Sequence, residues 1–146
     1  MPQSLRSVGR YGIGFAWLAL CGLVAGCGDG GPKLYPVTGK VLVNGKPLTS
    51  GSVVYNPDKA KGNTFTGVSV GELNADGVYT LDTNGKPGAP AGSYKITITS
   101  SGAVSQDNTK PSAKSPINVG YGLVETTNLE TTVGDKPGKY DFEVTP

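Results

Sequence analysis

The sequence predicts an all-β protein, an antiparallel β-sandwich of about seven strands behind an N-terminal signal helix. Apolar residues recur with a period of two from Val37 onward, rather than with the helical period. Glycine and proline supply 23 and 11 of the 146 residues, whereas charged residues make up only 16%. This composition favours a turn-rich β-domain over a helical bundle or a charged disordered chain.

The first 26 residues are predicted to be an export signal. Arg6 and Arg10 are the only arginines of the chain, and a charge-free apolar stretch from Ile13 to Ala25 follows them. A helix of about thirteen residues spans about 20 Å, whereas the hydrocarbon core of a bilayer is about 30 Å thick. The stretch is therefore short for a permanent membrane span.

The apolar stretch ends in Leu23, Val24, Ala25, Gly26 and Cys27. These residues resemble the bacterial lipobox, which implies cleavage between Gly26 and Cys27 and a diacylglyceryl group on Cys27. Small side chains before the cysteine give a signal peptidase access to the backbone, and a thiolate is the nucleophile that accepts the lipid. Two or three acyl chains would hold the protein at a membrane where a single chain is marginal. An ordinary secretory peptide and an uncleaved N-terminal helix are the alternatives.

Residues 27–36 are predicted to be a flexible tether, and residues 37–146 the folded domain. Asp29 stands one position later than the aspartate that resembles an inner-membrane retention signal, so sorting to the outer membrane is favoured. The expected location is the bacterial cell envelope, facing the periplasm or the cell surface. Because Cys21 leaves with the signal and Cys27 carries lipid, the domain is predicted to have neither a free thiol nor a disulfide.

The strands are predicted in chain order from alternating residues and short apolar runs. They cover residues 37–43, 53–55, 68–70, 78–81, 94–98, 129–133 and 140–144. In the third strand Val68 and Val70 alternate with Ser69 and Gly71, which places the two valines on one face. Each strand is expected to bury one face in a core and to expose the other.

Turns and loops are predicted from glycine, proline, asparagine and aspartate. Residues 44–45, Asn-Gly, offer the positive φ angles of a tight hairpin, and residues 74–77, Asn-Ala-Asp-Gly, are expected to form a second hairpin turn. Residues 83–92 are predicted to be a surface loop because they are rich in proline and glycine. Residues 100–116 are predicted to be a longer loop, for which mobility is favoured over a functional role.

Residues at the strand and turn positions follow a characteristic order: Val37-Thr38-Gly39-Lys40-Val41, Asn44-Gly45-Lys46-Pro47-Leu48, Gly51-Ser52-Val53, Asp76-Gly77-Val78-Tyr79-Thr80-Leu81 and Gly92-Ser93-Tyr94-Lys95-Ile96. This order resembles the carboxypeptidase regulatory-like domain. The end of the chain is similar to small bacterial lipoproteins that carry this domain, at Tyr121, Thr127, Leu129, Val133 and Tyr140-Asp141-Phe142. The resemblance implies a transthyretin-like, prealbumin-type β-sandwich over residues 36–145, and it implies a fold without an activity.

Several functional classes have no support in the composition. The chain contains no histidine, which removes catalytic triads, His-based metal sites and imidazole bases. Without the signal, eleven lysines stand against eleven acidic residues, so a role in nucleic-acid binding is not expected. No catalytic residue, metal ligand or cofactor is assigned.

Two groups of polar residues have both a chemical and a structural interpretation. Asn74, Asp76 and Asp82 could offer oxygens to calcium, but a plain hairpin turn is favoured. Asp141 and Glu143 would lie about 6.6 to 7 Å apart on one strand face, a separation that glycoside hydrolysis could use. The solvent face of a final strand is the favoured interpretation, so the chain is predicted not to be an enzyme.

The tyrosines of the domain could form a platform for carbohydrate. Inward strand positions favour core packing for Tyr79, Tyr94 and Tyr140, and leave Tyr35, Tyr55 and Tyr121 open. The predicted function is a lipid-anchored, non-catalytic scaffold that contacts the membrane through its lipid and an unknown envelope protein or polysaccharide. A calcium- or carbohydrate-binding envelope module is the alternative.

Overall fold

The computed structural model describes residues 30–101 and 114–146, which form short strands and two single-turn 3-10 helices, Lys59–Lys61 and Val119–Gly122. The strands are β1 (Leu34–Tyr35), β2 (Val37–Val43), β3 (Lys46–Pro47), β4 (Ser52–Pro57), β5 (Ser69–Glu72), β6 (Val78–Thr80), β7 (Asp82–Thr83), β8 (Lys86–Pro87), β9 (Ala89–Pro90), β10 (Gly92–Thr99), β11 (Glu130–Val133), β12 (Gly138–Lys139) and β13 (Phe142–Val144). The all-β prediction is confirmed for this part of the chain. The predicted signal helix and residues 102–113 of the predicted long loop lie outside it.

The larger sheet has six strands in the order β11, β10, β4, β5, β7 and β8. Its longest strand is β10, which pairs antiparallel with β4 from Tyr94 opposite Pro57 to Thr99 opposite Ser52. Tyr94, Ile96 and Ile98 are buried, as the alternation predicts for a strand with one face on the core. The strands predicted at residues 53–55, 94–98 and 129–133 are therefore confirmed.

The second sheet is arranged around β2. Strands β3 and β6 pair antiparallel with β2, whereas β12 and β13 pair parallel with it on the other side. The prediction of an antiparallel fold is thus wrong for the last predicted strand. Strand β11 ends at Val133, opposite Gly92, and the short connection that follows brings Gly138 alongside Val37 at the start of β2. Because β12 and β2 start at the same end of the molecule, they run in the same direction.

Residues 83–92 do not form a plain surface loop. Asn84 and Gly85 have φ angles of 54° and 78° and make a tight turn between β7 and β8. Strand β9 then pairs with β1, and Ala89 is fully buried. The buried hydroxyl of Thr83 donates a hydrogen bond to the carbonyl of Gly88 at 2.6 Å, which holds this segment on the core.

The two predicted turns have different outcomes. Asn44 and Gly45 join β2 to β3 with φ angles of 49° and 78°, which confirms the first hairpin. At residues 74–77, Asn74 Oδ1 accepts hydrogen bonds from the backbone N–H groups of Asp76 and Val78, both at 2.9 Å, so a turn is present. However, β5 and β6 belong to different sheets, and the turn carries the chain between them rather than closing a hairpin.

Val68, just before β5, and Val70 within it both point away from the core. Ser69 and Gly71 are buried, whereas Val68 is 44% exposed and Val70 is half-buried. A Cβ at position 71 would lie only 3.0 Å from Cδ2 of Tyr79, so glycine makes room for the tyrosine ring. The face predicted to carry both valines is therefore the outer one.

The two larger sheets share a single core. Strands β2, β6 and β13 contribute to it from one sheet, and β4, β10 and β11 contribute from the other. The buried apolar residues are Val37, Val41, Leu48, Val53, Tyr55, Leu73, Tyr79, Leu81, Ala89, Tyr94, Ile96, Ile98, Ile117, Val133 and Val144. Gly31–Pro146 is a compact unit that contains this whole core.

Candidate functional site

The predicted lipidation site is the set of residues Leu23, Val24, Ala25, Gly26 and Cys27. All five lie outside the described residues, so cleavage and lipidation stay predictions from the sequence.

The residues considered for calcium serve turns. Asn74 Oδ1 is occupied by the two backbone N–H groups of its own turn, and Asp82 Oδ1 accepts a hydrogen bond from the backbone N–H of Gly85 at 2.6 Å. Among residues 30–101 and 114–146, no group of three or more Asp, Glu, His or Cys side chains is placed to hold a metal ion. These oxygens satisfy backbone donors, as asparagine and aspartate commonly do in turns.

The carboxylates considered for catalysis have different environments. Asp141 Oδ1 accepts a hydrogen bond from the backbone N–H of Lys40 at 2.9 Å, and Asp141 Oδ2 lies 2.9 Å from Nζ of Lys139. The hydrogen bond from Lys139, with that from Lys40, holds the pKa of Asp141 below its usual range. A carboxyl group that donates a proton to a glycosidic oxygen needs a raised pKa. Asp141 is therefore poorly suited to that role, and Glu143 lies on the exposed face of β13.

A break in the strand alongside β2 was not predicted. Strands β12 and β13 follow β2 with one constant register, but Tyr140 and Asp141 between them belong to neither strand. The backbone N–H of Tyr140 still donates to the carbonyl of Thr38 at 2.8 Å. The carbonyl of Tyr140 points at Gly39, where a Cβ would lie 1.7 Å from its oxygen. The Asp141 side chain accepts a hydrogen bond from the backbone N–H of Lys40, so this donor has a partner despite the break.

The same break ends a chain of tyrosine hydroxyl groups. The hydroxyl of Tyr79 donates to the carbonyl of Tyr140 at 2.6 Å, so the Tyr55 hydroxyl, 2.9 Å from that of Tyr79, is the donor to it. Burial raises the pKa of both Tyr55 and Tyr79 far above the usual range for tyrosine. Both hydroxyls thus stay protonated and link the two sheets.

The tyrosines do not form an exposed platform. Tyr55, Tyr79 and Tyr94 are at most 1% exposed, and the ring centroids of Tyr55 and Tyr94 lie 5.6 Å apart in the core. Tyr35, Tyr121 and Tyr140 are half-buried and pack against the core. The prediction that Tyr79 and Tyr94 pack inward is confirmed, and Tyr55 packs inward with them.

A groove of about 460 Å³ lies between the loop after the first 3-10 helix and the start of β10. Its one aromatic side chain is Phe65, which is half-buried and rests against Gly67, where a Cβ would lie 2.7 Å from the ring. Lys61, the only charged residue of the groove, is hydrogen-bonded to Glu130. The lining is Pro32, Lys61, Gly62, Asn63, Thr64, Phe65, Thr66, Pro90, Ala91, Gly92 and Ser93.

A second surface feature is the segment 119–124, which we name the apolar turn. Val119 is 78% exposed, Leu123 is 55% exposed and Val124 is 37% exposed. In the described residues, the other large apolar side chain with comparable exposure is Val68. The apolar turn is thus a local concentration of exposed aliphatic side chains.

Comparison with family models, curated proteins and solved structures found no match. Within residues 30–101 and 114–146, no helix has the length and apolar character required to cross a bilayer.

Sequence reasoning did not identify the groove or the apolar turn. Phe65 lies between polar residues outside any alternating pattern, and the segment Val119 to Val124 resembles a short buried run when read as sequence. Only the structure shows that these side chains face outward. A phenylalanine between two threonines, Thr64-Phe65-Thr66, is the one signal for the groove that the sequence offers.

Proposed function

We propose that this chain is a lipid-anchored protein of the bacterial cell envelope, with a β-domain that acts as a non-catalytic scaffold. The observation that carries the proposal is the run from Leu23 to Cys27 at the end of a charge-free apolar stretch that follows two arginines. Acyl chains on Cys27 would hold the domain at a membrane surface without a spanning segment. The proposal includes sorting to the outer membrane, and it involves no cofactor.

We further propose that the domain is a transthyretin-like β-sandwich of the carboxypeptidase regulatory-like type. Two sheets that share one core, with short strands and glycine turns between them, are compatible with this assignment. The resemblance of the strand and turn residues between Val37 and Ile96 supports it.

The environment of the ionisable groups supports the proposal that the domain is non-catalytic. The hydroxyls of Tyr55 and Tyr79 are bonded to each other and have raised pKa values. The carboxylate of Asp141 has a lowered pKa and is bonded to a backbone N–H and a lysine. These groups are committed to structural hydrogen bonds, whereas a catalytic group must be able to exchange a proton with a substrate.

Mass spectrometry of the native protein tests the anchor. We expect a mature chain that begins at Cys27 and carries a diacylglyceryl group. Cys27→Ser should abolish the modification and cause the full-length precursor to accumulate. Cys21→Ser is the matched control and should be processed like the native chain, because its thiol lies inside the removed segment. An unmodified mature protein that begins at another residue would contradict the proposal.

A polysaccharide-binding module is the second candidate, and the groove at Phe65 favours it. The groove places an aromatic ring among threonine and serine hydroxyls, and its one lysine is already bonded to Glu130. This lining suits an uncharged sugar. Calorimetric titration with cell-wall glycans should then show binding that Phe65→Ala abolishes and Phe65→Tyr retains. The same experiment with calcium tests the other ligand of this alternative, and no heat with either ligand would favour the scaffold.

A further inference from the structure

Hydrogen bonds hold the backbone of the apolar turn on both sides, although its aliphatic side chains are exposed. The backbone N–H of Asn118 donates to the carbonyl of Thr145 at 3.0 Å, and Asn118 Oδ1 accepts the N–H of Gly120 at 2.8 Å. On the other side, Thr126 Oγ1 donates to the carbonyl of Gly120 at 2.7 Å, and the N–H of Thr127 donates to Leu123 at 2.9 Å. Little backbone freedom is therefore left to lose when the turn binds a partner.

The chemistry of the turn suits a bilayer interface better than a protein surface. Residues 119–124 carry no charge, and the first charged residue after them is the exposed Glu125. Tyr121 is half-buried at the base of the turn, where its hydroxyl lies 3.3 Å from Oγ1 of Thr145. Aliphatic tips with a tyrosine behind them match the order of groups across a membrane interface. Protein interfaces, in contrast, rely mainly on tryptophan, tyrosine and arginine anchors in central pockets.

The position of the turn allows contact with the same membrane as the proposed anchor. Gly122 lies against Thr99 at the end of β10, whereas Leu34 pairs with Pro90, just before β10 begins. The length of β10 therefore separates the turn from the tether, a distance of about 23 Å. Cys27 and Leu34 are seven residues apart in the sequence, and a chain of that length can span at most about 23 Å. The domain can consequently lie along the bilayer with both ends at its surface.

We propose that the apolar turn inserts into the interface of the bilayer that holds the lipid of Cys27. Val119, Leu123 and Val124 are the inserting side chains. The turn then acts as a second, reversible contact that orients the domain on the membrane. This inference rests on the proposed lipid anchor for its choice of membrane, but the insertion can be measured without the lipid.

The test uses the proposed mature chain, from residue 27 onward, with Cys27→Ser to prevent lipidation. The compact unit Gly31–Pro146 and its core are intact in this chain. Because Trp17 is the only tryptophan and belongs to the signal, Leu123→Trp introduces a single fluorescent reporter. With phosphatidylcholine vesicles we expect a blue-shifted emission that brominated lipids quench. Val68→Trp, at the exposed position just before β5, is the control and should show neither effect.

A second experiment compares two serine variants of the turn with the native turn in their binding to vesicles. Val119→Ser and Leu123→Ser should each lower the vesicle partition coefficient about fivefold, since each removes an aliphatic group from the interface. Val68→Ser should leave the coefficient unchanged, and circular dichroism should report the same fold for all variants. Equal binding of all variants, or emission of Leu123→Trp that is insensitive to vesicles, would overturn the proposal, as would a dimer that forms through the turn in place of vesicle binding. Failure of the lipid anchor would appear separately, in the mass of the native protein.

Discussion

At Gly39, hydrogen is the only substituent that the strand break leaves room for. A Cβ at this position would lie 1.7 Å from the carbonyl oxygen of Tyr140 and 2.6 Å from Oη of Tyr79. We expect Gly39→Ala to lower the free energy of unfolding by about 3 kcal/mol or more, because backbone must move to relieve the contact. Gly134→Ala is the control, since no heavy atom lies within 4 Å of a Cβ there. Urea unfolding of both variants measures the difference, and equal stability would contradict this account of the break.

The Tyr79 hydroxyl both donates and accepts in the core. Tyr79→Phe leaves the Tyr55 hydroxyl and the Tyr140 carbonyl without their partner, so we expect a loss of about 1–3 kcal/mol of stability. Tyr55→Phe should cost less, because the bond from Tyr79 to Tyr140 survives in it. Urea unfolding of the two single variants and the double variant gives the coupling energy between them. A coupling energy of zero would show that the hydroxyls act independently.

The strand formed by β12 and β13 depends on a side chain to replace part of its ladder. Asp141→Ala removes the acceptor for the backbone N–H of Lys40 and should cost about 0.5–1 kcal/mol. Asp141→Asn keeps an oxygen at this place and should cost less, whereas Lys139→Ala removes an exposed ion pair of small value. Thermal unfolding of the three variants separates the two contacts. If Lys139→Ala were as costly as Asp141→Ala, the ion pair would be the important one.

At the level of elements, alternation located the strands better than it located their partners. The run from Tyr94 to Ile98 is confirmed as a strand because one of its faces is apolar and the other is not. The same reasoning failed for Val68 and Val70, because Ser69 hydrogen-bonds to Thr83 inside the core and Gly71 makes room for Tyr79. These causes lie in residues distant in sequence, which a local pattern does not contain.

Pairing and turns show the same limit. The turn at Asn74 follows from local hydrogen bonds and was predictable, but the sheet that each flanking strand joins depends on the whole topology. The parallel direction of β13 depends likewise on where β11 ends. Of the candidate sites, the roles of Asp141 and the tyrosines follow from contacts made across the core. The lipidation motif is a local pattern, and it stays a prediction from sequence.

The molecule as a whole should lose stability in alkali. Burial raises the pKa of Tyr55, Tyr79 and Tyr94, whereas tyrosine in an unfolded chain ionises near pH 10. Because the folded-state pKa is the higher one, this contribution to stability is complete below about pH 10 and is lost as the pH rises above it. Each fully protected tyrosine should lower the unfolding free energy by about 1.4 kcal/mol per pH unit in that range. Urea unfolding from about pH 8 to about pH 11 measures the slope, and Tyr55→Phe should reduce it.

The constant register on both sides of the break limits how this chain can vary in length. Loops commonly tolerate insertions. Here, however, the two residues between Lys139 and Phe142 stand opposite two residues of β2, so the register is the same before and after the break. One residue more or fewer would exchange the faces of β13, so that Glu143 would enter the core and Val144 would leave it. A relative of this protein that retains the break should therefore retain a spacer of the same size, even where every other connection has changed.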